Sequence, residues 1–177
     1  MLKKILIGLL VLVAGFLVVV AFQPADYRVS RSAVISAPPE VVFAQVNDFH
    51  NWNAWSPWAK MDPDAKVSYE GAAAGPGAIF RWAGNREIGE GSMTITNSRP
   101  SDQIQIRLDF IKPFAGTGNA EFTFKPQGDQ TLVTWTMAGK NNFIAKAVGL
   151  FIDCDKMIGD NFEKGLAAMK TVAEGIK

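Results

Sequence analysis

The length, composition and charge of the chain fit one globular domain with an apolar appendage. The chain has 177 residues, and 18 Lys and Arg against 17 Asp and Glu leave a formal charge of +1, too small a field to hold a nucleic acid backbone. One cysteine, Cys154, excludes an internal disulfide and a cysteine-based zinc site, and one histidine, His50, excludes two-histidine metal motifs. We therefore expect no nucleic acid partner, no metal and no cofactor.

The first segment of the chain is apolar. Residues 5–22 form an unbroken uncharged run after Lys3 and Lys4, and a helix over this run spans about 27 Å, close to the hydrocarbon thickness of a bilayer. A cleaved signal peptide ending near Ala21 is the alternative, but its usual apolar core of about 7–15 residues is shorter. The pattern favours an uncleaved transmembrane signal anchor over residues 1–24. The flanking lysines favour a cytoplasmic N-terminus, with the domain of residues 25–177 on the periplasmic or extracytoplasmic side.

The domain is predicted to begin with a strand and two short helices. Residues 27–36 alternate apolar and polar side chains, which is typical of a strand. Pro39 and Glu40 then suit the first turn of a helix, because proline lacks an N–H and glutamate meets the positive end of the helix dipole. Residues 47–58, which contain Trp52, Trp55 and Trp58, are predicted to form a short helix or ordered loop.

From residue 65 to residue 140 the apolar side chains recur at every second position. Residues 103–110 show this most clearly, because Ile, Ile, Leu and Phe alternate there with polar residues. Turn sequences rich in Gly, Pro, Asn and Asp separate six such runs. Six consecutive strands with short connections predict an antiparallel meander that has one apolar and one solvated face.

Residues 143–176 return to helical spacing. Apolar side chains from Ile144 through Phe151 to Ile176 share one side of a helix, and the apolar face of the meander is the partner expected to bury them. Asp155 also falls on this side. Either the helix breaks near Asp153, so that one of these two residues is an N-cap, or Asp155 is a polar anchor inside a cavity.

The order of elements and three sequence motifs resemble the START-like SRPBCC superfamily, and most closely its group named for polyketide cyclase/dehydrase and lipid transport. The motifs are RSAVISAPPEVVF at residues 31–43, NDFHNWNAWSP at residues 47–57 and DNFEKGL at residues 160–166. The predicted fold class is α+β, with a strand, two short helices, a six-stranded antiparallel meander and a long C-terminal helix. The resemblance covers residues 25–177 and implies a helix-grip fold whose cavity, between the sheet and the long helix, holds apolar or aromatic molecules.

The candidate ligand-binding residues are mostly large side chains on the predicted inner face. The residues alone leave two interpretations, a filled core or an apolar pocket, and the resemblance favours the pocket. The candidates are Trp52, Trp55, Phe80, Trp82, Met93, Phe110, Phe122, Phe124, Trp135, Met137, Phe151 and Asp155.

Three functional hypotheses follow. The leading one is a membrane-tethered domain that binds a hydrophobic, lipid-like or aromatic small molecule without catalysis. The alternative is a cyclase/dehydrase-type enzyme in which Asp155 or Glu90 acts as general acid/base in a dry pocket. The third is an envelope protein-interaction domain that exposes the tryptophans of residues 52–58 as one patch.

Three other residues have structural interpretations. His50 is expected at the surface or at a helix end, and Asp48 is not expected to face it, because helix positions two apart diverge. Cys154 lies at the edge of the apolar stripe and is expected to be a small core residue. Arg31 shares the apolar side of its strand and is expected to extend its head group into solvent.

Overall fold

The structure is a computed structural model that describes residues 1–176. Its strands are β1 (Asp26–Ile35), β2 (Lys66–Gly71), β3 (Ala78–Ala83), β4 (Glu90–Arg99), β5 (Gln103–Lys112), β6 (Gly116–Gln127) and β7 (Gln130–Lys140). Its helices are α1 (Leu2–Ala21), α2 (Pro39–Asn47), α3 (Trp52–Trp55), α4 (Pro57–Met61), α5 (Phe143–Gly149) and α6 (Cys154–Glu174). The strands form one antiparallel sheet in the order β1-β7-β6-β5-β4-β3-β2. The α+β helix-grip architecture is confirmed.

Helix α1 contains the apolar run at the N-terminus. It starts before the predicted run, at Leu2, because Lys3 and Lys4 are themselves good helix formers. Its side chains are exposed apart from Val20, and it is long and apolar enough to cross a membrane. Signal sequences and membrane anchors share these properties.

The short helices direct the tryptophans inward. Residues 47–58 divide into the end of α2, a 3₁₀ turn (Phe49–Asn51), α3 and the start of α4. The indole N–H groups of Trp52 and Trp55 donate to the backbone oxygens of Val46 and Gln45, each at 3.0 Å. These bonds satisfy the polar atoms of both rings, so that both side chains are buried.

The predicted C-terminal helix is divided into two helices. Asp153 is the N-cap of α6, and its side chain accepts a hydrogen bond from the Lys156 N–H at 2.9 Å, as one of the two interpretations proposed. Helix α6 buries residues such as Phe162 and Met169 against the sheet. Helix α5 buries none of its side chains, contrary to the expectation of one continuous stripe. The break at residues 150–153 turns α5 away from the sheet and towards α1.

The sheet is filled unevenly along its length. Near the β6–β7 turn, Phe124 is buried in the core and Ile35 and Val133 beside it are completely buried, while Phe43 of α2 packs against Phe124 edge to face with ring centroids 5.5 Å apart. At the opposite end, where β5 ends and β6 begins, Phe110 and Met137 are only partly buried. This second end of the sheet contains the candidate site.

Candidate functional site

Aromatic side chains from neighbouring strands form the sheet wall of the site. The rings of Phe80 and Trp82 on β3 stack with centroids 6.1 Å apart, and Trp82 meets Phe110 on β5 edge to face at 6.2 Å. The Trp82 indole donates to the Ile88 backbone oxygen at 3.0 Å, which fixes the ring plane. Gly91 on β4 lies directly opposite Trp82, and a Cβ there would be 2.6 Å from the indole. Glycine therefore allows the ring to lie across the adjacent strand.

A second aromatic group joins the sheet to the helices. Trp135 on β7 and Phe162 on α6 are stacked almost parallel, with centroids 4.1 Å apart and an angle of 8° between the ring planes. Trp58 of α4 contacts both rings edge to face, at 5.6 Å and 6.3 Å. Such stacked and edge-to-face pairs are the favoured geometries of aromatic rings. They hold α4 and α6 above the sheet at a fixed separation.

A cavity of about 520 Å³ lies between these aromatic groups, a volume typical of small-molecule sites. The sheet lines it with Val67, Phe80, Trp82, Met93, Leu108, Phe110, Ala120, Trp135 and Met137. Helix α6 contributes Ile158 and Phe162, and the remaining wall comes from α3, α4, the loop before β2 and Ile88. The wall is almost entirely apolar.

Three polar side chains interrupt this wall. Ser56 is buried, and Asn53 donates to the Tyr69 hydroxyl at 3.3 Å. Asp62 is the only ionisable residue among the described residues that line the cavity. Its carboxylate accepts a hydrogen bond from the Asn85 N–H at 2.6 Å and so anchors the β3–β4 turn. The polar groups are therefore few, and Asp62 already has a structural partner.

The candidates predicted from the sequence fall into three groups. Those in the cavity wall are Trp52, Phe80, Trp82, Met93, Phe110, Trp135 and Met137. Trp55, Phe122 and Phe124 point inward as well, but they are completely packed in the adjoining core. Phe122 is covered because it stacks on Trp135 at 4.8 Å and meets Trp55 at 6.1 Å.

Phe151 and Asp155 lie outside the cavity wall. Phe151 is 79% exposed, and the Asp155 side chain is 59% exposed. The break at Asp153 explains the position of Phe151, because the helical phase that would align Phe151 with Phe162 does not continue through it. Asp155 instead occupies the first turn of α6, where its charge favours the positive end of the helix dipole.

Arg31 of β1 is the partner of Asp155. Its guanidinium bonds to Asp155 at 2.9 Å and to Glu163 at 3.1 Å, and the hydrogen bond to Asp155 is the main reason why its pKa is raised. Contrary to the expected extension into solvent, the side chain lies against α6 at Gly159 and is 24% exposed. Gly159 permits this approach, because a Cβ there would occupy the space of the guanidinium.

Glu90, the other carboxylate considered for acid/base chemistry, is also ion-paired. Its carboxylate lies 2.7 Å from Lys112 Nζ on β5, and Glu90 is not part of the cavity wall. Neither Asp155 nor Glu90, the two carboxylates that the enzyme hypothesis requires, therefore lines the cavity. The interaction hypothesis required an exposed tryptophan patch, whereas Trp52 and Trp55 are buried and Trp58 faces the cavity.

His50 is exposed, as expected, but its relation to Asp48 was predicted wrongly. The His50 Nδ1 atom is 2.7 Å from Asp48 Oδ1, because Asp48 is the extended N-cap of the 3₁₀ turn and not a helical residue. Cys154 is partly exposed in the first turn of α6 instead of lying in the core, again because the helix starts at this point. Within residues 1–176, no three His, Cys, Asp or Glu side chains are grouped as a metal site.

Several wall residues were absent from the candidates. Leu108 follows the same alternation as Phe110, and Ile158 and Phe162 follow the apolar side of α6, so that periodicity could have identified them. Ala120 could not be recognised from the sequence as a wall residue, because its side chain is small. The position of Trp58 in the wall depends on how α4 packs over the sheet.

Comparison with known proteins agrees with this architecture. The family model described as polyketide cyclase/dehydrase and lipid transport matches residues 26–174. No protein of curated function matches the sequence significantly. The structure is similar to a protein from Thermobifida fusca, with 24% identity, a TM-score of 0.60 and coverage of 82% of this chain and 92% of that chain. It is also similar to the Aha1 dimer from Colwellia psychrerythraea, with 16% identity, a TM-score of 0.61 and coverage of 85% and 98%.

A protein from Mesorhizobium loti shares 14% identity, with a TM-score of 0.62 and coverage of 85% of this chain and 99% of that chain. At these identities the structural similarities support the fold. The family match extends from the first residue of β1 to the last residue of α6 and therefore includes every wall of the cavity. The chain belongs to the polyketide cyclase/dehydrase and lipid transport family of the SRPBCC superfamily.

Proposed function

We propose that this protein is a membrane-anchored domain that holds a hydrophobic, lipid-like or aromatic small molecule in its cavity without transforming it. The observation that carries the proposal is the apolar cavity of about 520 Å³ between the sheet and α6. The family, whose description includes lipid transport, supports a guest of this kind.

The wall indicates how such a guest would be held. Transfer of each CH₂ group from water into this cavity contributes about 0.8 kcal/mol, and the faces of Trp82 and Phe80 offer flat surfaces to a ring or chain. Ser56 and Asn53 lie on one side of the cavity and can orient a hydroxyl or carbonyl group of the guest. Affinity would thus come from desolvation, and orientation from a small number of polar contacts.

The arrangement of charges supports binding without catalysis. A general acid or base must come within hydrogen-bond distance of the reacting atom. Asp62 is engaged by the Asn85 N–H, and the carboxylates of Asp155 and Glu90 are ion-paired outside the wall. We therefore propose that the cavity stores or presents its guest.

The anchor is the second part of the proposal. Helix α1 would be about 30 Å long at 1.5 Å per residue, which matches the hydrocarbon core of a bilayer. We propose that residues 1–24 remain attached as a single-pass anchor with a cytoplasmic N-terminus. Residues 25–177 would form the binding domain on the periplasmic or extracytoplasmic side. Alkaline extraction of membranes, followed by the intact mass of the retained protein, tests whether the anchor is kept.

The test of binding uses a domain that has folded in the full chain. A protease site inserted between Gln23 and Pro24 allows the domain to be released from membranes without detergent, for native mass spectrometry. We expect an additional mass that organic solvent extracts. Ala120→Phe, which places a ring inside the cavity, should remove this mass, whereas Asn119→Phe, on the exposed side of the same strand, should retain it. The proposal is contradicted if the wild-type domain carries no apolar molecule and does not increase the fluorescence of environment-sensitive dyes.

A further inference from the structure

Helix α5 and the corner that follows it expose an unusual amount of apolar surface. Phe143 is 48% exposed, Phe151 is 79% exposed, and Ile144, Val148 and Ile152 are also exposed. None of the residues of α5 is buried. A soluble surface seldom groups so many large apolar side chains without a partner.

This surface lies beside the membrane helix. The rings of Phe151 and Phe16 have centroids 6.3 Å apart, and Lys146 Nζ donates to the backbone oxygen of Ala21 at 3.4 Å. The lysine therefore contacts the last turn of α1, where a cation satisfies free carbonyl groups and the negative end of the helix dipole. The contacts place α5 at the level where α1 leaves the bilayer.

The contact with Phe16 also gives a depth for Phe151. Phe16 precedes the end of α1 at Ala21 by five residues, a distance of about 7.5 Å along the helix axis. Amphipathic segments that lie in a membrane interface bury their apolar side about 5–10 Å into it. With α1 across a bilayer, Phe151 is therefore at the depth of the outer acyl chains.

The exposed apolar residues are concentrated at one end of the sheet. We define the anchor end as the end where β1 begins at Asp26 and β7 ends at Lys140, two residues that pair directly. The turn after β5, which contains Phe114 at 59% exposure, lies at this end as well. Outside α1 and the linker after it, Val34 of β1 and Met157 and Ile176 of the α6 region are the exposed large apolar side chains of the described residues that lie away from the anchor end.

The rim of the cavity is at the same end. Pro63 and Val67 precede or begin β2, and Ile88 lies in the turn before β4. This turn contacts the turn of Phe114 directly, because Gly89 lies against Lys112 and Pro113. The polar β6–β7 turn, with Asp129, marks the opposite end of the sheet.

We infer that the anchor end of the domain docks on the bilayer that contains α1, with Phe114 and the corner of Phe143–Ile152 inserted among the lipids and the cavity rim held at the lipid surface. This inference rests on the proposed membrane anchor. A guest would then pass between the acyl chains and the cavity without crossing bulk water. The occupant of the apolar surface is thus the lipid itself, because the short connection to α1 keeps this surface beside the membrane.

Depth-dependent quenching in reconstituted full-length protein tests the inference. In a Cys154→Ser background, single cysteines replace Phe114, Phe151, Pro63 or Asp129 and carry an environment-sensitive nitrobenzoxadiazole label. The vesicles contain phosphatidylethanolamine with a minor share of phosphatidylglycerol, and spin-labelled lipids act as quenchers. We expect blue-shifted emission and loss of intensity with acyl-chain quenchers at positions 114 and 151. Head-group quenchers should act at position 63, and the label at position 129 should respond only to aqueous iodide.

The other outcomes overturn the inference in distinguishable ways. Labels at 114 and 151 that only iodide quenches, in protein whose α1 is protected from proteolysis, reject the docking surface and leave the anchor intact. Loss of α1 from the membrane rejects the anchor and the docking surface together. If neither lipid nor iodide quenches position 151 and a bifunctional thiol reagent joins two chains through it, a second copy covers the surface. Loss of the guest in native mass spectrometry concerns the binding proposal alone.

Discussion

Ala120→Leu tests whether the centre of the domain is vacant, because a filled and a vacant interior predict changes of opposite sign in the free energy of unfolding. Ala120 is 5% exposed on β6 and lies in the cavity wall, opposite Met137 of β7. Leucine adds three carbon atoms that enter the cavity of about 520 Å³. At about 0.8 kcal/mol per buried carbon, the guest-free protein gains at most about 2.4 kcal/mol in free energy of unfolding.

A packed interior gives the opposite result. Extra methylene groups in a filled core force neighbouring side chains out of their rotamers and cost about 1–3 kcal/mol. Urea unfolding of the full chain in polymer nanodiscs, followed by tryptophan fluorescence, measures the difference. Both preparations must first be shown free of guest by native mass spectrometry. The control Asn119→Leu, on the exposed side of β6, should stay within about 0.5 kcal/mol of wild type. A loss of stability specific to Ala120→Leu would refute the vacant cavity.

Three further changes probe the contacts that α6 makes with the rest of the domain. Phe162→Ala removes the stacked ring of α6 and should lower the free energy of unfolding by about 3–5 kcal/mol in urea titrations; a cost below about 1 kcal/mol would contradict the stacking. With Arg31 present, Gly159→Ala should leave the free energy of unfolding unchanged or lower it. In an Arg31→Ala background, where only helix propensity acts, Gly159→Ala should raise the free energy of unfolding by about 0.5–1 kcal/mol. Equal effects in both backgrounds would show that Gly159 and Arg31 are not coupled. The Glu174 carboxylate accepts a hydrogen bond from the Ser36 N–H at 2.7 Å, and this bond lowers the pKa of Glu174 below its usual 4.5. The stabilisation of the fold by the Glu174 carboxylate is therefore present above pH 4.5 and is lost as the pH falls through the lowered pKa. Glu174→Gln should therefore flatten the fall in melting temperature on acidification. An unchanged dependence of the melting temperature on pH would count against this role of Glu174.

Local patterns were sufficient to predict the sheet. In β5, the buried residues Ile104, Ile106 and Leu108 follow the period-two alternation of the sequence. The alternation also predicted that Phe80, Trp82 and Trp135 face inward. In a sheet with one buried and one solvated face, the apolar residues of an alternating strand lie on the buried face.

The position of a side chain along the inner face could not be predicted in the same way. Phe122 and Phe124 share the alternation of Ala120, yet they are packed in the core whereas Ala120 borders the cavity. The difference depends on where α2 and α3 cover the sheet, which is a property of tertiary packing. Periodicity identifies a face of the sheet and does not give the distance to the opposing helix.

The division between α5 and α6 shows how one capping residue changes the outcome. The apolar side chains of Ile144, Phe151 and Phe162 fit a single helical stripe only if the helix is continuous. Asp153 interrupts it by accepting the N–H of Lys156, which begins a new helix in a different direction. Phe151, which precedes the cap, was therefore predicted to line the cavity and in the structure contacts Phe16 of α1.

The connection between α1 and β1 limits how far the domain can move from α1. Only residues 22–25 separate the two elements, and the Ala25 backbone oxygen accepts a hydrogen bond from Asn141 N–H at 2.7 Å. Four residues of extended chain reach about 14 Å at most. On the proposed anchoring of α1 in one membrane, this short connection would keep the domain beside that membrane. An enzyme or acceptor that exchanged a molecule with the proposed binding domain would then have to come to that membrane.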